Sequence, residues 1–305
     1  MKSFQPQLIY PGNDDVYLRL ITEVTLYWRG SIFSHIDGLI HFYREALAII
    51  GKDIKYFETE SMGGSRKLKT DTLELLPYWL TSSKARRGIY MLKLESGTRA
   101  NEPSDKALLF LADEEEELKT GIIRLVLPFS FMDEGASEIL ALMKRLVAKL
   151  NFESGHAGYS VNWDSDGEAE EEAARDMLVI SKKYPGVDVN YFDSTLIAFQ
   201  NSNRPSIKCV NWLTFVGADI QKILPAMDQL RTELGEACRV NELANGIIFQ
   251  AGPAPKLGYP DRHELDPYYR VGNLLSDFRL RDHPQILPDS THDENTTEDW
   301  LSRFD

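Results

Sequence analysis

One stretch constrains this chain more than any other: Ile207-Lys208-Cys209-Val210-Asn211-Trp212-Leu213-Thr214-Phe215-Val216-Gly217. It is largely β-branched, aromatic or otherwise apolar, has the length of a strand, and stops at a glycine. An amphipathic segment follows at once, with Ile220, Ile223, Leu224, Met227, Leu230 and Leu234 at helical spacing. Gly246-Ile247-Ile248-Phe249-Gln250-Ala251-Gly252 then reads as a second short strand. Such a unit is stable only when an apolar helix stripe covers an apolar sheet face. The rest of the chain must supply more of that sheet.

It contains suitable material. Val16 to Trp28 is rich in β formers and reads as a strand. Ile36 to Ile50 carries a helical stripe (Ile36, Leu39, Ile40, Tyr43, Leu47, Ile50), with Gly51 placed as a glycine cap. Gly88 to Leu94, Ala107 to Ala112, Gly121 to Phe131 and His156 to Trp163 read as strands, and Ser137 to Phe152 as a helix. Asp164 to Lys183 predicts a helix with an acidic first turn. Asp188 to Gln200 predicts a loop leading into a short strand over Thr195 to Phe199. The expected fold is α+β: mainly antiparallel sheet with packed helices, in one compact unit over residues 1–287. Residues 288–305 read as a loose acidic tail in which Trp300, Leu301 and Phe304 offer apolar anchors. Arg124–Leu150 and Lys208–Leu234 align without a gap, pairing Val126 with Val210, Phe131 with Phe215 and Met143 with Met227. Two similar halves meeting near 164–206 would explain this; so would any two strand–helix units.

The net charge is −13, with 47 acids against 34 Lys and Arg. Phosphate contacts need Lys and Arg, so nucleic acid is excluded as a general ligand, while a basic partner fits. The two cysteines, Cys209 and Cys238, form no zinc-type spacing and no disulfide framework. No stretch of about 18 uninterrupted apolar residues occurs, and the N-terminus has no signal-like apolar core. A cytoplasmic protein with no membrane partner, metal or cofactor is expected.

Residues able to do chemistry are few. No GxSxG elbow, Walker loop, GxGxxG or HExxH is present. His156 lies near Asp164 and Asp166, which leaves a hydrolase-like acid–base reading open beside the non-catalytic one. The acids are more informative. Asp164, Asp166, Glu168, Glu170, Glu171 and Glu172 crowd the start of one predicted helix. A helix macrodipole rewards one or two of them by about 0.3–1 kcal/mol each; the excess repels. That pattern, together with Asp113, Glu114 and Glu115 in the run to Glu117, marks candidate contacts for a basic partner.

Several short pieces, taken in order, resemble one family. They are Ala157-Gly158-Tyr159, Tyr184-Pro185-Gly186-Val187-Asp188, Val210-Asn211-Trp212-Leu213-Thr214, Gly246 to Gly252, and Pro255-Lys256-Leu257-Gly258. Their order and spacing are similar to the type VI secretion immunity proteins of the TsiV kind, most clearly from Leu125 to Phe278. Where that family usually has an acid after the Leu-Gly turn, this chain has Tyr259. The resemblance implies an immunity protein that binds and silences an injected toxin, with some members paired to nuclease toxins. It implies fold-forming roles for Gly158, Tyr184, Pro185, Gly186, Asn211, Trp212, Ala251, Gly252 and Gly258, and it supplies no catalytic residue. An enzyme and a non-catalytic scaffold or adaptor are the alternatives.

Overall fold

A computed structural model describes residues 7–9, 15–82, 88–164, 168–258, 262–281, 283–284 and 296–305. Its strands are β1 (Gln7–Ile9), β2 (Val16–Arg29), β3 (Tyr56–Thr59), β4 (Arg66–Lys67), β5 (Ile89–Glu95), β6 (Ala107–Asp113), β7 (Thr120–Pro128), β8 (Ser154–Trp163), β9 (Leu213–Gly217), β10 (Cys238–Leu243) and β11 (Gly246–Ala251). Its helices are α1 (Ile36–Ile50), α2 (Leu75–Thr81), α3 (Ala136–Val147), α4 (Glu168–Lys183), α5 (Phe192–Asn201), α6 (Ala218–Gln221), α7 (Met227–Leu234), α8 (Asp266–Leu275) and α9 (Thr296–Leu301). The strands form one antiparallel sheet ordered β10-β11-β9-β8-β2-β7-β6-β5-β3-β4, with β1 also pairing β2. The α+β expectation is met.

The registers explain how the two faces differ. Cross-strand partners share a face. One face stacks Val24, Leu125, Leu108 and Leu94, then Leu26, Ile123, Phe110 and Leu92. These rows are apolar, and they join one core with Leu39, Phe42, Tyr43 and Ala46 of α1 and Ile139, Met143 and Leu146 of α3. The other face is mixed. One of its rows runs Thr214, His156, Thr25, Arg124, Leu109, Lys93, Glu58. The next runs Gly158, Glu23, Val126, Ala107, Glu95. Charged side chains at the centre of a sheet require partners, and this face holds the site described below.

Several elements differ from the sequence expectation. The central run forms a strand only from Leu213. Before it, Ile207 N–H bonds Phe278 O (2.8 Å), Leu280 N–H bonds Ile207 O (2.8 Å) and Ala251 N–H bonds Trp212 O (2.8 Å), so this stretch stitches three segments together. Pro225 lies in the break between α6 and α7, because proline cannot donate to an interior helical turn. Residues 192–201 are helix α5, not loop and strand. The burial of Thr195, Leu196, Ala198 and Phe199 follows a helical stripe. Gly51 stays in the right-handed helical region (φ −58°), so it does not form the left-handed cap. The chain end is docked: Trp300, Leu301 and Phe304 are all buried. In the gapless alignment of the two pieces, the end of β7 at Pro128 faces Trp212, one residue before β9 begins, so the strands do not correspond. The units share topology instead: β7 and β8 flank β2, and β9 and β10 flank β11.

Candidate functional site

Five ionisable side chains meet on the mixed face beneath α9: Glu23, Arg124, His156, Asp188 and Lys208, none more than 3% exposed. Arg124 Nε donates to Glu23 Oε2 (2.5 Å), Nη2 to Val161 O (3.1 Å) and Nη1 to Asn162 Oδ1 (3.3 Å). His156 Nε2 lies 3.0 Å from Glu23 Oε1 and 2.8 Å from Asp188 Oδ2. Lys208 Nζ donates to Asp188 Oδ2 (2.9 Å) and Val189 O (2.6 Å). The ring of Trp300 sits over Lys208 Nζ at 5.4 Å. Moving such ions out of water costs several kcal/mol each, and only pairing of this kind recovers the cost.

The electrostatics follow from that pairing. Burial pushes the Asp188 carboxyl up, but Lys208 and His156 outweigh burial and hold it well below the usual carboxylate range. Burial likewise opposes ionisation of Glu23, and Arg124 and His156 reverse the effect, so its pKa is lowered. For His156, burial alone lowers the pKa; Asp188 and Glu23 outweigh it and the net shift is upward. A histidine with a raised folded pKa contributes stability in full below its unfolded value, about 6.5, and loses that contribution as pH rises through the folded value. His35 and His283 shift downward by burial and act with the opposite sign. They cancel when wild type is compared with His156→Gln. The melting-temperature advantage of wild type over His156→Gln should therefore be larger at pH 6 than at pH 9. An advantage that is flat or growing with pH would mean that His156 is neutral in the fold.

His156, Asp188 and Cys209 place one N, one O and one S atom within 4.8 Å of one another. That donor set suits zinc, but the residues do not fit a metal. The Lys208 ammonium already holds the cation position on Asp188. Cys209 Sγ is itself bonded to Asp188 Oδ1 at 3.5 Å, and burial pushes its thiol up to about 12. The acid–base reading meets a similar obstacle. The carboxylates at His156 are Glu23 and Asp188, whereas Asp164 is buried and pairs with Arg99 (3.1 Å).

The stretches that carry the family resemblance pack against one another, and two of them meet at Asp188. Its N–H bonds Tyr159 O (2.8 Å), and its carbonyl accepts from Ser160 Oγ (3.0 Å). Gly158 lies where a Cβ would meet Asn211 Oδ1 at 2.1 Å, and at Gly186 a Cβ would meet Lys256 O at 1.9 Å. Asn211 Oδ1 accepts from Trp212 N–H (2.7 Å), and Trp212 Nε1 donates to Gly252 O (3.2 Å). Pro185 O accepts from Arg303 Nε (2.7 Å), and Gly258 N–H donates to Glu264 Oε1 (3.0 Å). Tyr184 N–H closes the end of α4 on Ile180 O (2.7 Å), and Ala251 is buried in β11.

The candidate partner-binding acids are dispersed. Glu170 and Glu171 are exposed on α4, and the half-buried Glu172 pairs with Arg175 at 3.6 Å. Asp166 and the Glu168 side chain lie outside the described residues, as does Tyr259. Asp164 is no surface acid, for the reason given above. Nor is Glu114: its carboxylate is 3% exposed, accepts from Ile32 N–H (2.7 Å) and Ser31 Oγ (2.8 Å), and pairs with Lys119. It closes the turn before α1. Asp113 accepts from Glu115 N–H (2.8 Å) and Gln200 Nε2 (3.0 Å), leaving Glu115 exposed. Sequence reasoning missed Glu23, Arg124, Asp188 and Lys208. For Glu23, Arg124 and Lys208 the available signal was an isolated charge inside an apolar run of strand character; Asp188 carried no such signal.

On the same sheet face, beyond Arg124, α4 and α5 stop short of β5 and β3. A cleft of about 330 Å³ opens there, lined among others by Glu58, Met91, Lys93, Glu95, Glu170 and Asp193.

Among curated proteins none matches this chain. A solved structure, the Pseudomonas aeruginosa T6SS protein PA0821, shares the fold with a TM-score of 0.80 and 17% identity, covering 99% of this chain and 88% of that one. No helix of the described residues is long and apolar enough to cross a membrane. The family model TsiV, type VI immunity for VRR-NUC, matches residues 39–304, so the chain belongs to that family of type VI immunity proteins.

Proposed function

We propose that this chain neutralises a VRR-NUC effector by stoichiometric binding in the cytoplasm of the cell that makes it, with no catalytic step of its own. The family match across residues 39–304 carries this reading. The charge supports it: a nuclease must hold phosphates with basic groups, and this chain is acidic at −13. In this reading Glu168, Glu170, Glu171 and Glu172, with Asp113 and Glu115, steer the basic effector toward the complex. Charges of this kind act chiefly on association rate and its salt dependence. The test is co-expression of the chain with a VRR-NUC effector from the same genome, scored by survival and by co-elution of the two proteins. Protection together with a stable 1:1 complex is expected. Protection without any complex would overturn binding as the mechanism.

A further inference from the structure

The mixed sheet face divides at Arg124. On the β7, β2, β8 and β9 side it is sealed by α5, by residues 187–190 and 207–209, and by Trp300. On the β6, β5 and β3 side no described helix covers it. α5 forms one wall and runs along the strands. Phe192, at its start, lies 4.8 Å from the Arg124 guanidinium, and Gln200, near its end, bonds Asp113. Arg124, Leu109 and Lys93 share one row, whereas Asp113 and Ile89 are paired at the far end of β5 and β6. The cleft is therefore graded. Glu58, Lys93, Glu95, Glu170 and Asp193 gather at one end. At the other, Met91 and Leu111 lead along β5 and β6 toward Ile89, which is 48% exposed.

The acids alone would be an ordinary solvated patch. Glu95 distinguishes them. Its side chain is on the cleft floor, and the residue is only 3% exposed. One carboxylate oxygen, Oε1, pairs with Lys93 (3.0 Å). The other, Oε2, is buried and has no hydrogen-bond partner among the described residues. An unsatisfied buried carboxylate oxygen is costly in the free protein, and burial pushes the Glu95 pKa up, against Lys93. An incoming guanidinium or ammonium would relieve that cost. Arginine suits it best, since its planar fork offers several N–H donors, and Glu58 lies near enough to act electrostatically on Glu95.

We infer that this cleft is the surface that receives the effector: a segment bearing an arginine or lysine places its cation on Glu95 Oε2, with an apolar neighbour along Met91 and Ile89. The inference rests on the proposed function and adds the location and the chemistry of the contact. A buried pair of this kind acts on dissociation, whereas the rim acids Glu170 and Asp193 act on association.

The experiment measures binding kinetics of the full chain against the purified VRR-NUC domain of the effector it protects against in co-expression. Glu95→Gln keeps shape and removes the charge. It should weaken binding by at least about tenfold, mostly through faster dissociation. Its melting temperature should hold or rise, because a buried, half-satisfied carboxylate is lost. The pair Glu170→Gln with Asp193→Asn should slow association and flatten its salt dependence. Glu236→Gln, exposed before β10 and outside every proposed contact, serves as the control and should bind as wild type. If wild type binds tightly and Glu95→Gln binds equally well, the cleft is not the contact surface, though the proposed function stands. If wild type does not bind at all, both fall together.

Discussion

Lys208→Met should destabilise the protein by about 3–5 kcal/mol, the usual cost of removing one partner from a buried ion pair. Methionine keeps most of the side-chain volume, so the effect is electrostatic. Asp188 loses the cation 2.9 Å away, and Val189 O loses its donor at 2.6 Å. Against a typical total of 5–15 kcal/mol, that loss should lower the melting temperature by roughly 5–8 °C. A Lys208→Met protein that melts with wild type would show that the network contributes nothing to the fold.

The second large effect is Trp212→Ala. Trp212 is fully buried, its indole N–H bonds Gly252 O, and its carbonyl accepts from Ala251. Truncating a buried tryptophan costs about 3–5 kcal/mol through lost transfer energy and the cavity left behind. Poor solubility or a sharply lowered melting temperature is expected, with Trp212→Phe in between. A soluble, stable Trp212→Ala protein defective only in effector binding would place Trp212 at the interface instead.

Periodicity made most of the scaffold legible. The expected Ile36–Ile50 helix is α1 to the residue, and the expected run from Val16 to Trp28 is β2 less Arg29. Both are long, strongly patterned and buried on a continuous surface. Thr195 to Phe199 was not legible in this way. Its β-branched and aromatic residues fit a strand locally, and only packing of Phe199 on Tyr27 (4.6 Å) reveals the helix. The site was harder still, because local sequence cannot tell a buried acid from an exposed one. Glu114 and Glu115 are neighbours in one charged run, yet one closes a turn beneath α1 and the other faces water. Asp188 sits in a stretch with no acidic cluster to mark it, and its partners are His156 and Lys208, which only the fold brings together. Cation and carboxylate are matched across the sheet face, so the pattern emerges from register and not from spacing along the chain.

The central claim is inhibition by one-to-one occupation of the effector. It is tested most directly by titrating the nuclease activity of the VRR-NUC domain with the purified chain, the domain held well above the dissociation constant. Activity should fall linearly and vanish at one equivalent, with both proteins recovered intact from the mixture. Silencing by a small fraction of an equivalent would point to a catalytic inhibitor, and full activity in excess chain would contradict inhibition altogether.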